Sequence, residues 1–351
     1  MQENYLKGRG AQFNPNNRFN IKQHGESYHE LVDSDDPHLR TKFFKTHAKT
    51  IVNEVKSPDI SMMYSMNPYQ GCEHGCTYCY ARNTHQYWGY SAEIDFESII
   101  FVKENAAELL EKKLKSKSWK AAPIMLSGNT DCYQPIEKKL GITRQILEVF
   151  WKYRHPVGII TKNALMLRDL DLLHKLNKDG LLKVSVSLNT LEESLRQKLE
   201  PRASSVKNRL KLINHLSAAG IYVNVMVAPM IPGLNTHEIP SLLEKIKSIG
   251  ASDATYITLR LNGEVADIFK DWLNKNFPDR AQKIINQVSN THGGKLSDSR
   301  FKIRMKGEGR ISEILTQQFK LTKKKLGLGV LKKEFNLDLH KNFKTPQMKL
   351  F

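Results

Sequence analysis

Residues 66–82 read MNPYQGCEHGCTYCYAR and set Cys72, Cys76 and Cys79 in a CxxxCxxC array. Three of the four cysteines in 351 residues fall within these eight positions, a crowding that points to a metal or redox centre. Structural zinc takes four ligands, usually as two separated pairs. No second CxxC exists here, so Cys132 and His74 would have to complete such a site. A thioredoxin-like pair needs one CxxC and leaves Cys72 unexplained. A [4Fe–4S] cluster held by three thiolates fits better, because one iron then stays open to a substrate or cofactor. Gly71 and Gly75 let the backbone turn tightly around such a centre.

The rest of the chain has a regular rhythm. From Pro58 onward, apolar runs at 61–66, 122–127, 157–161, 181–188, 222–229 and 255–261 alternate with helical patterns. The helical patterns lie near 98–115, 142–153, 168–178, 191–199, 206–219 and 236–248. The runs are short and rich in Val, Ile and Met, as parallel strands buried on both faces are. Gly180 and Gly220 stand where helices should stop before a strand. Six such units predict an α/β fold, a parallel TIM-like (βα)6 barrel, complete or partial, with ligands at the C-terminal strand ends. The cysteine loop follows the first strand and so lies at that mouth.

Four segments are expected. Residues 1–57 are polar and read as an irregular extension that wraps the core. Residues 58–262 form the barrel, and 263–345 a helical, basic region. In that region two helices break at Pro278, a loop-like or hairpin-like stretch follows, and SEILTQQFKLTKKKLGL reads as a basic helix. The last twenty residues look mainly extended, and 346–351 form a tail peptide.

Hydrophobic residues at 40% and charged residues at 26% are those of a soluble globular chain. No apolar run approaches ~20 residues, and the N-terminus lacks a secretory h-region. The cysteines do not form a disulfide framework, so a cytoplasmic location without membrane contact is expected. The formal charge is +18. From Arg300 to Phe351 there are fourteen Lys/Arg against four Asp/Glu, a local excess of +10. That bias favours a polyanionic partner, nucleic acid before membrane, although a lysine-rich proteome gives the same count.

CxxxCxxC with an aromatic before the third cysteine, after the first strand of a βα series, resembles the radical S-adenosylmethionine (SAM) superfamily. NPYQGCEHGCTYCYAR, GNTDCYQPIE (128–137), TKNALMLRDLDLL (161–173), LEPRASS (199–205) and VMVAPMIPGLN (225–235) together look like a bacterial branch related to spore photoproduct lyase. The resemblance spans nearly the whole chain, from NPNNRF to RMKGEGR. It implies a radical SAM barrel, a [4Fe–4S] cluster on Cys72, Cys76 and Cys79, and SAM on the open iron. Cleavage of SAM then yields a radical that takes a hydrogen atom from substrate, with electrons from a flavodoxin- or ferredoxin-type donor.

Further residues follow from the resemblance. Tyr78 would wall the adenine. Ser127, Gly128, Asn129, Thr130 and Asp131 occupy the place of the segment that binds the SAM amino group, although Asp131 also reads as a helix cap. Lys162 would meet the SAM carboxylate. Ser185 and Ser187 share one face of the fourth strand and, with Asn189, would meet the ribose unless satisfied by backbone. Glu200 and Arg202 flank Pro201 and would face the mouth, or else form a surface pair. Cys132 and, more weakly, Tyr133 are candidates for returning a hydrogen atom. Spore photoproduct lyase keeps such a cysteine just before the equivalent segment, where Gly128 stands here. That departure counts against thymine-dimer reversal and for Cys132 as a buried, inert thiol.

The last five residues, Gln347-Met348-Lys349-Leu350-Phe351, resemble the bacterial sliding-clamp-binding peptide, with Leu350 and Phe351 as apolar anchors and Gln347 at the rim. A C-terminus packed on its own domain is the alternative. Together these features point to damaged or modified DNA as substrate. RNA or protein modification by the same radical, or a non-catalytic metal-binding adaptor, are the other readings.

Overall fold

The apolar runs become parallel strands because each carries two buried faces. The computed structural model describes residues 6, 8–12, 41–60, 62–331 and 333–344. In chain order its strands are β1 (Lys42–Thr46), β2 (Asn53–Glu54), β3 (Tyr64–Met66), β4 (Tyr69–Gln70) and β5 (Ile99–Lys103). They continue with β6 (Ile124–Leu126), β7 (Val157–Thr161), β8 (Leu182–Ser187), β9 (Val223–Met230) and β10 (Asp253–Thr258). One sheet has the order β10-β9-β8-β7-β6-β3-β2. Its six longer members are parallel, and β2 is an antiparallel edge. The order ends at β10 and β2 without closing, so the barrel is partial.

Alternation along the strands divides the two faces. Val184 and Val186 are fully buried toward the helices, while Ser185 faces the concave side in register with Asn224. The helices Leu170–Lys178, Val206–Ala218 and Ile239–Ser248 answer with Leu172, Leu173, Leu176, Leu212, Ile213, Leu216, Leu242, Leu243 and Ile246. Burying each of these stabilises the fold by about 1.5–3 kcal/mol. The concave side is filled only at its base. A Cβ on Gly158 would meet Met62 Cε at 2.2 Å and Met125 Cε at 3.3 Å. Below that, Phe335 lies 4.6 Å from the Lys183 ammonium, and Asn336 N–H donates to the Gly180 carbonyl at 3.0 Å.

Three expectations change. The helical pattern at 98–115 is a strand followed by a helix, because Ile99–Lys103 is an apolar run paired with β1 and β4 in a second sheet; the helix begins at Ala106. The N-terminal extension is not irregular throughout, since β1 and β2 both join sheets. The final residues are not all extended: Asp338–Lys344 is a helix whose first turn is capped by Asn336 Oδ1, which accepts from Asp338 N–H at 3.1 Å. Gln347, Leu350 and Phe351 lie outside the described residues.

The basic helix forms at Gly309–Lys325 and runs antiparallel to β10. It starts near Thr258, which donates its N–H to the Met305 carbonyl at 3.0 Å and its hydroxyl to the Lys306 carbonyl at 2.8 Å. It ends where Lys323 pairs with Asp253 at 2.5 Å. Across the open seam of the barrel, Arg304 reaches Asp59 at 2.6 Å and Ser57 Oγ at 2.6 Å, tying the β10 side to the segment between β2 and β3.

Candidate active site

Behind the cysteine loop the buried charges are matched, although Thr77 Oγ1 and the His85 ring nitrogens stay without a hydrogen-bond partner among the described residues. Arg82, fully buried, donates to the carbonyls of Cys76 at 2.8 Å, Ala92 at 3.2 Å and Glu93 at 2.9 Å, and its remaining nitrogen pairs with Glu97. Glu97 also accepts from Gly10 N–H at 3.0 Å and Ala11 N–H at 2.8 Å, while Arg9 donates to its carbonyl at 2.8 Å. The N-terminal segment therefore seals the back of the loop. Gly10 must be glycine there, since a Cβ would sit 1.8 Å from the Gly75 carbonyl oxygen. Gly75 itself has φ +66, and a Cβ there would meet Glu97 Oε2 at 2.7 Å. Cys72 and Cys76 are buried and Cys79 half-buried on the opposite side.

The front of the loop meets the strand ends. Tyr78 donates its hydroxyl to Glu200, whose other oxygen pairs with Arg209, and Arg209 donates to the Ser187 carbonyl at 3.1 Å. Lys162, at the end of β7, holds its ammonium 5.9 Å from the Tyr78 ring. Burial alone would lower its pKa, but Cys76, Glu200 and Cys79 carry it above its ordinary value. Among the described residues that ammonium has no hydrogen-bond or ion-pair partner. Asn189, just past β8, is buried with both carboxamide atoms unpartnered. Ser185 Oγ accepts from Asn224 at 3.2 Å, and Ser187 is buried on the same face.

These observations fit the expected cofactors. Three grouped thiols leave a cluster one iron short of protein ligands. An unpaired ammonium and an orphaned carboxamide beside them are what a zwitterionic, hydroxyl-bearing ligand would satisfy.

Several expected roles are corrected. Glu200 is fully buried and engaged by Tyr78 and Arg209, so it does not face the mouth. Arg202 pairs with Glu73 at 3.1 Å and Thr41 at 3.2 Å on the protein side of the loop. Asp131 accepts from Thr161 Oγ1 at 2.8 Å and from the backbone of Lys162 at 2.7 Å and Tyr133 at 2.9 Å, tying β7 to the loop after β6. Ser127, at φ +75, accepts from Cys132 N–H at 2.7 Å, and Thr130 donates to the Tyr69 carbonyl at 2.7 Å. Gly128 gives its carbonyl to the Tyr80 hydroxyl, and Asn129 N–H donates to Asn67 at 2.8 Å. Any ammonium held by 127–131 would therefore meet backbone or the exposed Asn129 carboxamide. Cys132 and Tyr133 are fully buried in the main core and reach no open surface, which removes both as hydrogen-atom donors in this conformation. Both His74 ring nitrogens face other partners, Nδ1 lying 3.4 Å from Asp131 and Nε2 3.5 Å from the Asn163 carboxamide.

Sequence reading missed Arg209 and Glu97. Arg209 carried a signal, as a cation on the stripe Val206, Leu212, Ile213, Leu216 that an amphipathic helix keeps apolar.

The radical SAM superfamily model matches residues 66–246. An uncharacterised protein of Mycobacterium tuberculosis is 32% identical over 240 residues, 68% of this chain and 71% of that one. One from Methanocaldococcus jannaschii is 31% identical over 251 residues, 71% and 89% of the two chains. The radical SAM Nα-GlyT isomerase of Pseudomonas phage M6 is 28% identical, with 68% of this chain matching 48% of that protein. Spore photoproduct lyase with bound AdoMet and dinucleoside spore photoproduct shares the fold, at a TM-score of 0.60 and 16% identity over 80% of this chain and 78% of that one. A family match that begins at the last residue of β3 and runs through the strand ends lined by Lys162 and Asn189 places this chain in the radical SAM superfamily, with a [4Fe–4S] cluster and SAM as its cofactors.

Proposed function

We propose that this radical SAM enzyme acts on nucleic acid, with modified or damaged DNA as the favoured substrate. One observation carries the reading. Lys306, Arg310, Lys320, Lys324 and Lys325 are exposed along the side of β10, and among the described residues none has an acidic partner. Exposed, unpaired cations on one flank are the electrostatic footprint of a polyanion. The lyase that shares the fold and is seen with a dinucleoside spore photoproduct supports the same class.

In this reading Cys72, Cys76 and Cys79 hold the cluster, and Lys162 and Asn189 bind SAM at the strand ends. The cofactors supply a one-electron cleavage of SAM that yields a hydrogen-abstracting radical. Tyr78, braced through Glu200 and Arg209, keeps the wall beside Cys76 rigid. Substrate would approach from the half-buried Cys79 side.

The test is DNA affinity across a salt series. Neutralising Lys320, Lys324 and Lys325 to Gln should lower the salt slope by about 2–3, at ~0.9 per phosphate contact. Lys323 is excluded because it pairs with Asp253. Affinity indifferent to salt would overturn the reading. Anaerobically reconstituted protein should also cleave SAM to 5′-deoxyadenosine, and Cys76→Ala should abolish this. A sliding clamp is the proposed partner of Gln347, Leu350 and Phe351. Retention on immobilised clamp should vanish in the double variant Leu350→Ala, Phe351→Ala, and unchanged retention ends that idea.

A further inference from the structure

Arg260 lies two residues past the end of β10, on the same end of the barrel as the cysteine loop. Its backbone is pinned on both sides. Leu259 N–H donates to the Met230 carbonyl at 2.9 Å, Leu261 N–H to the Leu296 carbonyl at 2.9 Å, and His292 contacts the Leu259 carbonyl at 2.7 Å. Leu259 and Leu261 are buried, so Arg260 between them points the other way. The next residues dock on the helical segment that follows Cys79: Asn83 donates to the Asn262 carbonyl at 2.7 Å, and a Cβ on Gly263 would meet Asn83 at 2.9 Å.

The half-buried Arg260 guanidinium has no hydrogen-bond or ion-pair partner among the described residues. The two acids near it are engaged elsewhere. Asp59 accepts from Arg304 at 2.6 Å and from Lys302 N–H at 2.6 Å, and Asp298 is held by Arg300 at 2.6 Å. Burial and then the neighbouring Arg304 lower the Arg260 pKa, which marks a cation short of counter-charge. Two rings border the site. Tyr80, half-exposed, is within electrostatic reach of Cys79 and Lys162 on one side and Arg260 on the other. Phe301, also exposed, lies 4.5 Å from the Arg304 guanidinium.

We propose that Arg260, backed by Arg304 and bordered by Tyr80 and Phe301, binds a phosphate group of the substrate at the barrel mouth. Arg304 is held by Asp59 and Ser57, so the free donors are those of Arg260, and a forked donor suits a phosphate. Exposed rings beside the cation give a base or other flat group a surface to stack on. The proposal deepens the nucleic-acid reading and rests on it for the substrate that carries the phosphate.

The experiment compares reconstituted wild-type enzyme with Arg260→Gln and Arg260→Lys. The probes are a labelled single-stranded hexathymidylate, its uncharged methylphosphonate counterpart, and inorganic pyrophosphate. At fixed ionic strength Arg260→Gln should weaken the phosphodiester probe by about 10-fold or more, the scale of a charge-assisted hydrogen-bond pair. Arg260→Lys should fall between, and the methylphosphonate probe should not distinguish the three proteins. Arg260→Gln should melt no lower than wild type, since it relieves repulsion with Arg304; a lower melting point would assign Arg260 a structural role and overturn the proposal. Hexathymidylate binding that ignores Arg260 overturns the phosphate site and leaves the nucleic-acid reading standing. Absent hexathymidylate binding with Arg260-dependent pyrophosphate binding does the reverse. Loss of neither probe on substitution, or binding of neither by wild type, ends the proposal.

Discussion

The two sides of the cysteine loop differ in one respect. Behind it, Arg82, Glu97 and the Arg9–Ala11 segment form a buried network in which each donor meets an acceptor. In front, Lys162 has no partner among the described residues, and the Asn189 carboxamide is buried with none. A buried polar group left unpaired costs about 1–3 kcal/mol. Behind the loop the charged groups are paired and the unmatched atoms are those of Thr77 and His85, whereas in front the unmatched groups are an ammonium and a whole carboxamide at the strand ends. Rigidity behind the loop and unmet hydrogen-bonding capacity before it are the two requirements of a site that holds a cluster and then takes a ligand.

The largest expected effect breaks the back. Glu97→Gln sets an amide where Arg82 and two backbone N–H groups need a carboxylate, leaving the buried guanidinium unmatched. The loss should be about 3–5 kcal/mol, a large part of the ~5–15 kcal/mol that holds a typical domain together. Thermal unfolding should show it, together with lower iron content per chain after reconstitution. Wild-type melting and full iron loading would mean that the N-terminal segment does not brace the loop. Gly10→Ala should cost less, about 1–3 kcal/mol as overpacking against the Gly75 carbonyl, with the same two readouts.

These two sides were not equally legible in the sequence. The front was, because three thiols in eight residues and Lys162 and Asn189 at strand ends are local patterns on a βα rhythm. The back was not: Gly10 and Glu97 are 87 residues apart, and nothing in either neighbourhood names the other. Local pattern also misled. The run Lys323-Lys324-Lys325 reads as one solvated face, yet successive helix positions turn by about 100°, so Lys323 alone is brought against Asp253. Glu200 and Arg202 looked like mouth residues because proline separates them, but the fold turns both inward to partners 9 and 129 residues away. The strand ends place chemistry reliably, whereas the partners of buried charges are a property of the tertiary structure.

Asn189→Ala sharpens the comparison, because its two effects should have opposite signs. Removing an unsatisfied buried carboxamide should leave the cofactor-free protein as stable as wild type or more so, while SAM binding weakens by about 10-fold, the worth of one good hydrogen bond to a charged or strongly polar ligand. Equilibrium dialysis with SAM and a melting curve without it separate the two. A drop in stability with unchanged SAM affinity would move Asn189 from the front of the site to the scaffold.

The smallest effect is expected at Cys132, which links the two sides through the loop after β6. Its thiol is fully buried, and burial followed by the nearby Asp131 raises its pKa well above that of a free thiol. It is therefore held protonated and out of contact with the mouth. Cys132→Ala should cost about 1–2 kcal/mol as a small cavity and leave the rate of SAM cleavage unchanged. Cys132→Ser should cost less than the alanine, because the Ser127 and Thr143 hydroxyls lie within hydrogen-bond reach of this position. If instead Cys132→Ala kept its melting point and altered how 5′-deoxyadenosine formation is partitioned with substrate present, the thiol would have to reach the mouth during turnover. The Ser127–Cys132 hydrogen bond at 2.7 Å would then be the contact that has to open.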